Sequence, residues 1–398
     1  MKLASLALAA VSALALTSCS GTYTAIDSAS ETETLAAVEL TQPPAREQSE
    51  LQVLFWNAAQ RSARFREMEE WFAGHEVPAA LTPRELPTGA PFSARLQADL
   101  LAFMSDTNAA GVMILQDGEV RFEEYGLGFG AQDRWTSFSV AKSFTSTLLG
   151  AAIADGFVAS LDDPVTQYVP ELTGSAYDGV SVRQLATMTS GVAWNEDYTD
   201  PESDVAKMAL FATEHGPDAV VAQMKQLKRQ SEPGSEFVYK TGETNLIGLL
   251  VENAIGLPLA EYAQTKIVEP AGFAGGLFWM VDPRGGNIGG CCLSLRLSDY
   301  ARMGQFALEG GAGTVPDGWF AEAGADQVSF GESGFGYGYQ WWTYPGGNYG
   351  AQGIFGQAIT IVPEKNLVIA VVSNWPAATG SELSAARQAI LSKILAET

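Results

Sequence analysis

Apolar and polar positions alternate through "GVMIL" and "EVRFEEY", and Asp117-Gly118 stands between the two runs. That pattern predicts a β-hairpin, because a two-residue Asp-Gly link matches the twist of paired strands. Helical spacing replaces the alternation on the N-terminal side: "SARLQADLLAFMSDTN" forms one candidate helix, and "FWNAAQRSARFREMEEWF" another, with Phe65, Met68 and Phe72 on one face. The Pro-rich "TPRELPTGAP" connects them. From Thr136 to Gly156 the chain reads "TSFSVAKSFTSTLLGAAIADG", a helix with Val140, Phe144, Leu148 and Ala151-Ala152 as its apolar stripe and Gly156 as its stop. A long middle, from about Asp155 to Gly334, is mostly helix and loop; in "SDYARMGQFALEGG" Ser298 is a candidate N-cap and Gly310 a stop. Strand patterns return in "YGYQWWTYP", "GIFGQAITIVP" and "NLVIAVVSN", the last two joined through Pro363-Glu364-Lys365-Asn366, and a helix from about Ser381 closes the chain. Strands at both ends with helices between them predict a mixed α/β fold: one antiparallel sheet of N- and C-terminal strands, flanked by helices, carrying an inserted helical region roughly within 155–334.

Composition narrows the function classes. With 398 residues and 46% hydrophobic content the chain can bury a large core, and its net charge of −23 argues against nucleic acid as a partner. Residues 1–18 read as a signal peptide: Met1-Lys2 precedes a small and apolar run too short for a typical membrane span. It ends in Leu16-Thr17-Ser18-Cys19, which resembles a bacterial lipobox. Such a motif implies lipidation at Cys19 and anchoring in the cell envelope, with Ser20 suiting the outer membrane, facing the periplasm. Residues 19–50, rich in Ser, Thr, Glu, Ala and Pro, are expected to be a flexible tether, and 51–398 the folded body. Cys291 and Cys292 are expected to pack as small residues. No zinc-ligand spacing occurs, and neither a metal nor another cofactor is expected. Nothing in the pattern sets the oligomeric state.

Three short segments carry candidate chemistry. Ser139 and Lys142 form the only Ser-x-x-Lys, and about one match is expected by chance in a chain this long, so the context matters. Three residues apart on a helix the two share a face, and a helix N-terminus supplies free N–H donors for an oxyanion, while desolvation lowers the pKa of a lysine. An ordinary capped helix with a snorkelling lysine is the competing reading. In "EPGSEFVYKTGETNLIGLLVENAIG", Tyr239 ends an extended piece just before a helix, where it can serve as an acid or base or simply pack. In "YGAQGIFGQAITIV", the glycines at 350, 353 and 356 mark close approach, and the N–H of Ile354 is a candidate oxyanion donor.

Taken together, Ser139–Lys142, "VRQLATMTSGV" at Val182–Val192, "PGSEFVY" at Pro233–Tyr239 and "GIFGQ" at Gly353–Gln357 resemble the serine β-lactamase and penicillin-binding superfamily. Within it, class C-like esterases and 6-aminohexanoate-dimer hydrolases are most alike. The resemblance implies Ser139 as nucleophile, Lys142 and Tyr239 as general acid and base in either order, and the N–H groups of Ser139 and Ile354 as oxyanion hole. It also implies substrate contacts from Gly353 and, in the loop "NEDYTDPESDV", from Asp197 and Tyr198; a merely solvated acidic loop is the alternative. Two departures stand out: the family's Tyr-x-Asn is Tyr239-Lys240-Thr241, and its Lys-Thr-Gly or His-x-Gly is Ala351-Gln352-Gly353. Without that cation, the counter-charge for a β-lactam carboxylate is missing. Small neutral esters and amides therefore rank above β-lactams and D-alanyl-D-alanine peptides, with a catalytically silent binding lipoprotein as the non-enzyme alternative. A Ser-His-Asp triad is disfavoured, since only His75 and His215 exist and no G-x-S-x-G elbow occurs.

Overall fold

A computed structural model describes residues 35–398, so the expected signal peptide of residues 1–18 and the expected lipidation site Cys19 lie outside the described residues. The Asp117-Gly118 hairpin forms as its alternation predicts, pairing Ala109–Gln116 with Glu119–Tyr125. Its first strand then pairs with Leu367–Ser373, which joins the two ends of the chain in one antiparallel sheet. Eight strands follow in the order 119–125, 109–116, 367–373, 357–362, 348–353, 342–344, 336–337 and 328–329. Successive side chains on a strand point to opposite faces, so this sheet carries two cores. On one face Leu96, Leu100 and Phe103 of the helix Ala94–Asp106 and Ile390, Leu391 and Ile394 of the closing helix Ser381–Leu395 pack on Val112, Ile114, Ile369 and Val371. The opposite face meets Leu297–Leu308 and, beyond it, the helix Ala141–Ala154.

A second sheet was not legible in the sequence. Its order is 39–41, 74–77, 277–280, 293–295 and 135–136, and two of its strands come from the middle region expected to be helix and loop. Strands of two to four residues are too short to show a period of two. The tether expectation is corrected by the same sheet: Glu39–Thr41 pairs in register with Gly74–Glu76, so the chain joins the folded body well before residue 51. Leu40 was read as part of a polar, unstructured run; the pairing depends on backbone groups, which composition does not report. The helix expected through Phe65, Met68 and Phe72 is shorter, Ala58–Arg64, and is followed by a separate turn at Met68–Glu70, with Phe65 and Met68 still buried. Ser298 is inside its helix and Arg296 occupies the N-cap, whereas Gly310 follows the helix end as expected. Cys292 is buried in the core and Cys291 packs against it, as expected.

Candidate active site

The helix Ala141–Ala154 is buried on every side from Ala141 to Ala152, so its hydroxyls cannot be left to solvent. Each finds a backbone carbonyl: Ser143 donates to Gln340 O at 2.8 Å, Thr145 to Gly289 O at 2.7 Å and Ser146 to Tyr339 O at 2.6 Å. Those bonds fasten the helix to two loops that border the site. A short turn, Phe138–Val140, leads into it and leaves Ser139 half-exposed among buried neighbours.

Lys142 is 2% exposed, and its ammonium makes three hydrogen bonds: to Ser139 Oγ at 3.2 Å, Thr241 Oγ1 at 3.0 Å and Gly290 O at 2.8 Å. All three are neutral oxygens. Burial without a direct counter-charge pushes the amine down to about 8, with the more distant Glu196 opposing. The Gly290 carbonyl reaches Lys142 because Gly289 and Gly290 lie flat against the helix Thr241–Ile255. A Cβ at Gly289 would stand 2.6 Å from Thr244 O, and one at Gly290 2.9 Å from Thr241 O.

Tyr239 arrives from the segment before that helix. Its ring lies 5.3 Å from Lys142 Nζ and stacks at 5.5 Å on Trp342, with Tyr337 edge-on at 6.1 Å. Burial raises its phenol far above the ordinary range, the Glu196 charge raises it further, and the nearby Ser139 hydroxyl opposes them. Among the aromatics of "YGYQWWTYP", Trp342 and Tyr337 meet Tyr239, whereas Tyr339 and Trp341 belong to the core.

The third segment closes on Ser139 from the sheet. A Cβ at Gly353 would lie 2.5 Å from Ser137 O and 3.1 Å from Ser139 N, so only glycine lets the strand Asn348–Gly353 come this close. Pairing with Trp342–Tyr344 stops at Gly350, leaving the stretch up to Gly353 to face the Ser139 turn. Both candidate oxyanion donors adjoin a phenylalanine with positive φ, Phe138 at 44° beside Ser139 and Phe355 at 60° beside Ile354. Such backbone costs about 1–3 kcal/mol per residue and persists where packing enforces it. Here the two rings lie 5.4 Å apart, Phe65 packs on both at 5.0 and 5.6 Å, and the Arg61 guanidinium covers Phe355 at 4.7 Å.

The departures from the family motifs also have a place. Ala351 lies in the core shared with the Ser139 helix, and Gln352 is turned away, donating to Tyr344 Oη at 2.8 Å and accepting from Arg387. Asp197 is exposed and spent on its own turn, accepting from Thr199 N at 2.9 Å and Thr199 Oγ1 at 2.7 Å; it is not brought to Ser139. Tyr198 is half-buried, and its hydroxyl donates to Glu196 at 2.9 Å. His75 pairs with Asn287 and His215 stacks on Phe211, both away from Ser139.

Glu196 itself escaped the sequence reading. It accepts from Trp194 Nε1, Tyr198 Oη, Thr241 N at 3.0 Å and Thr241 Oγ1. The spacing Trp194-x-Glu196-x-Tyr198 carried a signal, because alternate residues of an extended segment share a side.

Residues 96–392 match the Beta-lactamase family model, and the chain belongs to that family. It is 32% identical over 323 residues to a 6-aminohexanoate-dimer hydrolase of Paenarthrobacter ureafaciens, covering 75% of this chain and 82% of that one. Among solved structures, a Bacillus anthracis protein assigned as a 6-aminohexanoate-dimer hydrolase superposes with TM-score 0.74 at 20% identity, over 84% of this chain and 93% of that one. A class C beta-lactamase variant superposes with TM-score 0.57 at 17% identity, over 77% and 99%. At those identities the structures speak for the fold alone. The protein is a hydrolase with the β-lactamase fold.

Proposed function

We propose that the protein is a serine hydrolase of small neutral amides and esters, working through an acyl-enzyme on Ser139, with linear aminohexanoate amides as the first substrate class to test. The observation that carries this reading is the bond between buried Lys142 and half-exposed Ser139, with the Tyr239 ring brought to within 5.3 Å of the same amine from a distant segment. The two flanking groups divide the labour. Lys142, lowered to about 8, has an accessible neutral form and acts as base; Tyr239, raised, keeps its proton and acts as acid. Ser139 Oγ attacks the carbonyl carbon as its proton passes to Lys142 Nζ. The oxyanion sits between the N–H groups of Ser139 and Ile354. Collapse breaks the C–N or C–O bond, the leaving group takes the Tyr239 proton, and Lys142 returns a proton to Tyr239. Water then repeats the sequence on the acyl-enzyme. The resemblance of 32% to a 6-aminohexanoate-dimer hydrolase supports an amide substrate, and the alanine at position 351 supports neutral over anionic ones.

A fluorophosphonate probe should acylate the protein stoichiometrically, with mass-mapped labelling at Ser139 and none in Ser139→Ala. No labelling would favour a silent binding module. Rates on p-nitrophenyl butyrate and aminohexanoate dimer should exceed the rate on nitrocefin; the reverse order would make it a β-lactamase. A lipid anchor at Cys19 in the bacterial envelope belongs to the same proposal, and loss of palmitate incorporation in Cys19→Ser would support it.

A further inference from the structure

Lys142 is a base only when one of its three hydrogen-bonding directions becomes a lone pair, and catalysis needs that lone pair to face Ser139 rather than either other partner. Gly290 offers a carbonyl, which can only accept. Thr241 Oγ1 could do either, because a hydroxyl has one proton and two lone pairs. Its single proton is claimed by Glu196: the Thr241 hydroxyl donates to Oε1, and a carboxylate only accepts. Glu196 cannot swing away, since Trp194 Nε1 and the Thr241 N–H hold its Oε2 and Tyr198 shares its Oε1. Thr241 therefore presents a lone pair to Lys142 at 3.0 Å.

We propose that Glu196 is the positioning residue for the base: through Thr241 it obliges neutral Lys142 to spend its two N–H groups on Thr241 and Gly290, which leaves the lone pair aimed at Ser139. This rests on Lys142 being the base. Thr241 stands where the resemblance led to expect an asparagine amide, and the Thr-Glu pair supplies a one-way acceptor there. Few other charged or titratable groups face this set. Tyr239 and Lys240 lie on the segment entering the Thr241 helix, Tyr198 on the loop and Tyr337 on the sheet, all within the influence of Glu196. The Gly290 loop and the strand ending at Gly353 present backbone. Glu196 also favours the charged form of Lys142, so its removal eases deprotonation while misdirecting the result.

The test is Glu196→Gln in the full chain, assayed on p-nitrophenyl butyrate across pH 5–10. An amide can donate to Thr241 Oγ1, which frees the threonine proton to bind the Lys142 lone pair. The expected result is a 10- to 100-fold lower kcat with KM within twofold, and an acid limb of kcat/KM displaced to lower pH by half a unit or more. Thr241→Val should show the displaced limb too, and Thr241→Ser, which keeps the hydroxyl, should restore wild-type rates. A lower kcat with an unmoved limb would mean a structural role and overturn the proposal, as would unchanged kinetics. Should Glu196→Gln fail to fold, the Val and Ser pair at position 241 decides alone. The hydrolase reading fails separately, by retained activity in Ser139→Ala.

Discussion

Lys142 and Lys240 are 2% and 0% exposed, flank the same tyrosine, and have surroundings of opposite character. Lys142 meets three neutral oxygens, and the nearest carboxylate, Glu196, acts on it at one remove through a hydroxyl. Lys240 faces the Glu243 carboxylate directly at 3.7 Å and donates to Val238 O at 3.1 Å; Glu243 also accepts from Ser190 and from Tyr177 Oη at 3.3 Å. Burial lowers both amines, but the adjacent charge works against that for Lys240. Desolvation is thus common to the two, and the partner decides its use. Neutral acceptors leave a proton that can be given up. A carboxylate makes a clamp, which here fixes the residue next to Tyr239.

The sharpest way to break this contrast is to remove each amine in turn. Lys142→Met should lower kcat/KM on p-nitrophenyl butyrate on the order of 10³-fold, within the range for losing a general base. The paired change Lys240→Met with Glu243→Leu should leave it within about tenfold, since replacing a buried ion pair by apolar groups of similar volume is often neutral. Equal losses in the two proteins would erase the distinction.

Stability should separate them with the opposite sign. Glu243→Gln leaves Lys240 buried without its counter-charge and should lower stability in denaturant unfolding, most clearly above pH 7, since burial pushes the Glu243 carboxyl up to about 7. Lys142→Met should instead raise the melting temperature at pH 7, because it removes a desolvated charge. The pH dependence follows from a folded pKa of about 8 against the ordinary 10.5. Below 8 both states hold the proton and the folded state bears the full cost of burial. Between 8 and 10.5 the unfolded state binds more protons, so wild-type stability rises with pH. The advantage of Lys142→Met should accordingly shrink across that window. A constant difference from pH 7 to 10 would mean that Lys142 keeps its proton. Kinetics report the same group: kcat/KM should climb with pH on a limb centred near 8, where neutral Lys142 accumulates, and a limb below 6 would reassign the base.

How much of this was legible depends on the range of the signal. The hairpin at Asp117-Gly118, the buried helix after Lys142 and the closing helix follow from local periodicity, and they came out where the pattern put them. Ser139, Lys142, Tyr239 and Gly353 stand out because each lies in a short motif; helical spacing brings Ser139 and Lys142 together, and the approach of Tyr239 and Gly353 to them was implied only by the family resemblance. The second sheet, the early entry of Glu39–Thr41 and the role of Glu196 rest on contacts between segments far apart, such as Glu196 to Thr241, which no window along the chain contains. Lys240 shows the same limit. Its place as the variable residue of Tyr-x-Thr gave no hint that it would be buried against Glu243.

The smallest expected effect concerns the other departure, at Gln352. Sequence alone leaves open whether that amide stands in for the family's cation beside Ser139. In the fold it is committed elsewhere, to Tyr344 and Arg387, on the far side of the strand from the core that Ala351 shares with the Ser139 helix. Gln352→Leu should therefore leave ester hydrolysis within about twofold and cost about 1 kcal/mol, the worth of a typical hydrogen bond, in denaturant unfolding. A tenfold rise in KM with unchanged stability would place the amide in the substrate cleft. Lys142 and Lys240 would then not be the whole account of how this site replaces charge with neutral donors and acceptors, because a third polar group would be contacting the substrate from the position where its relatives carry a cation.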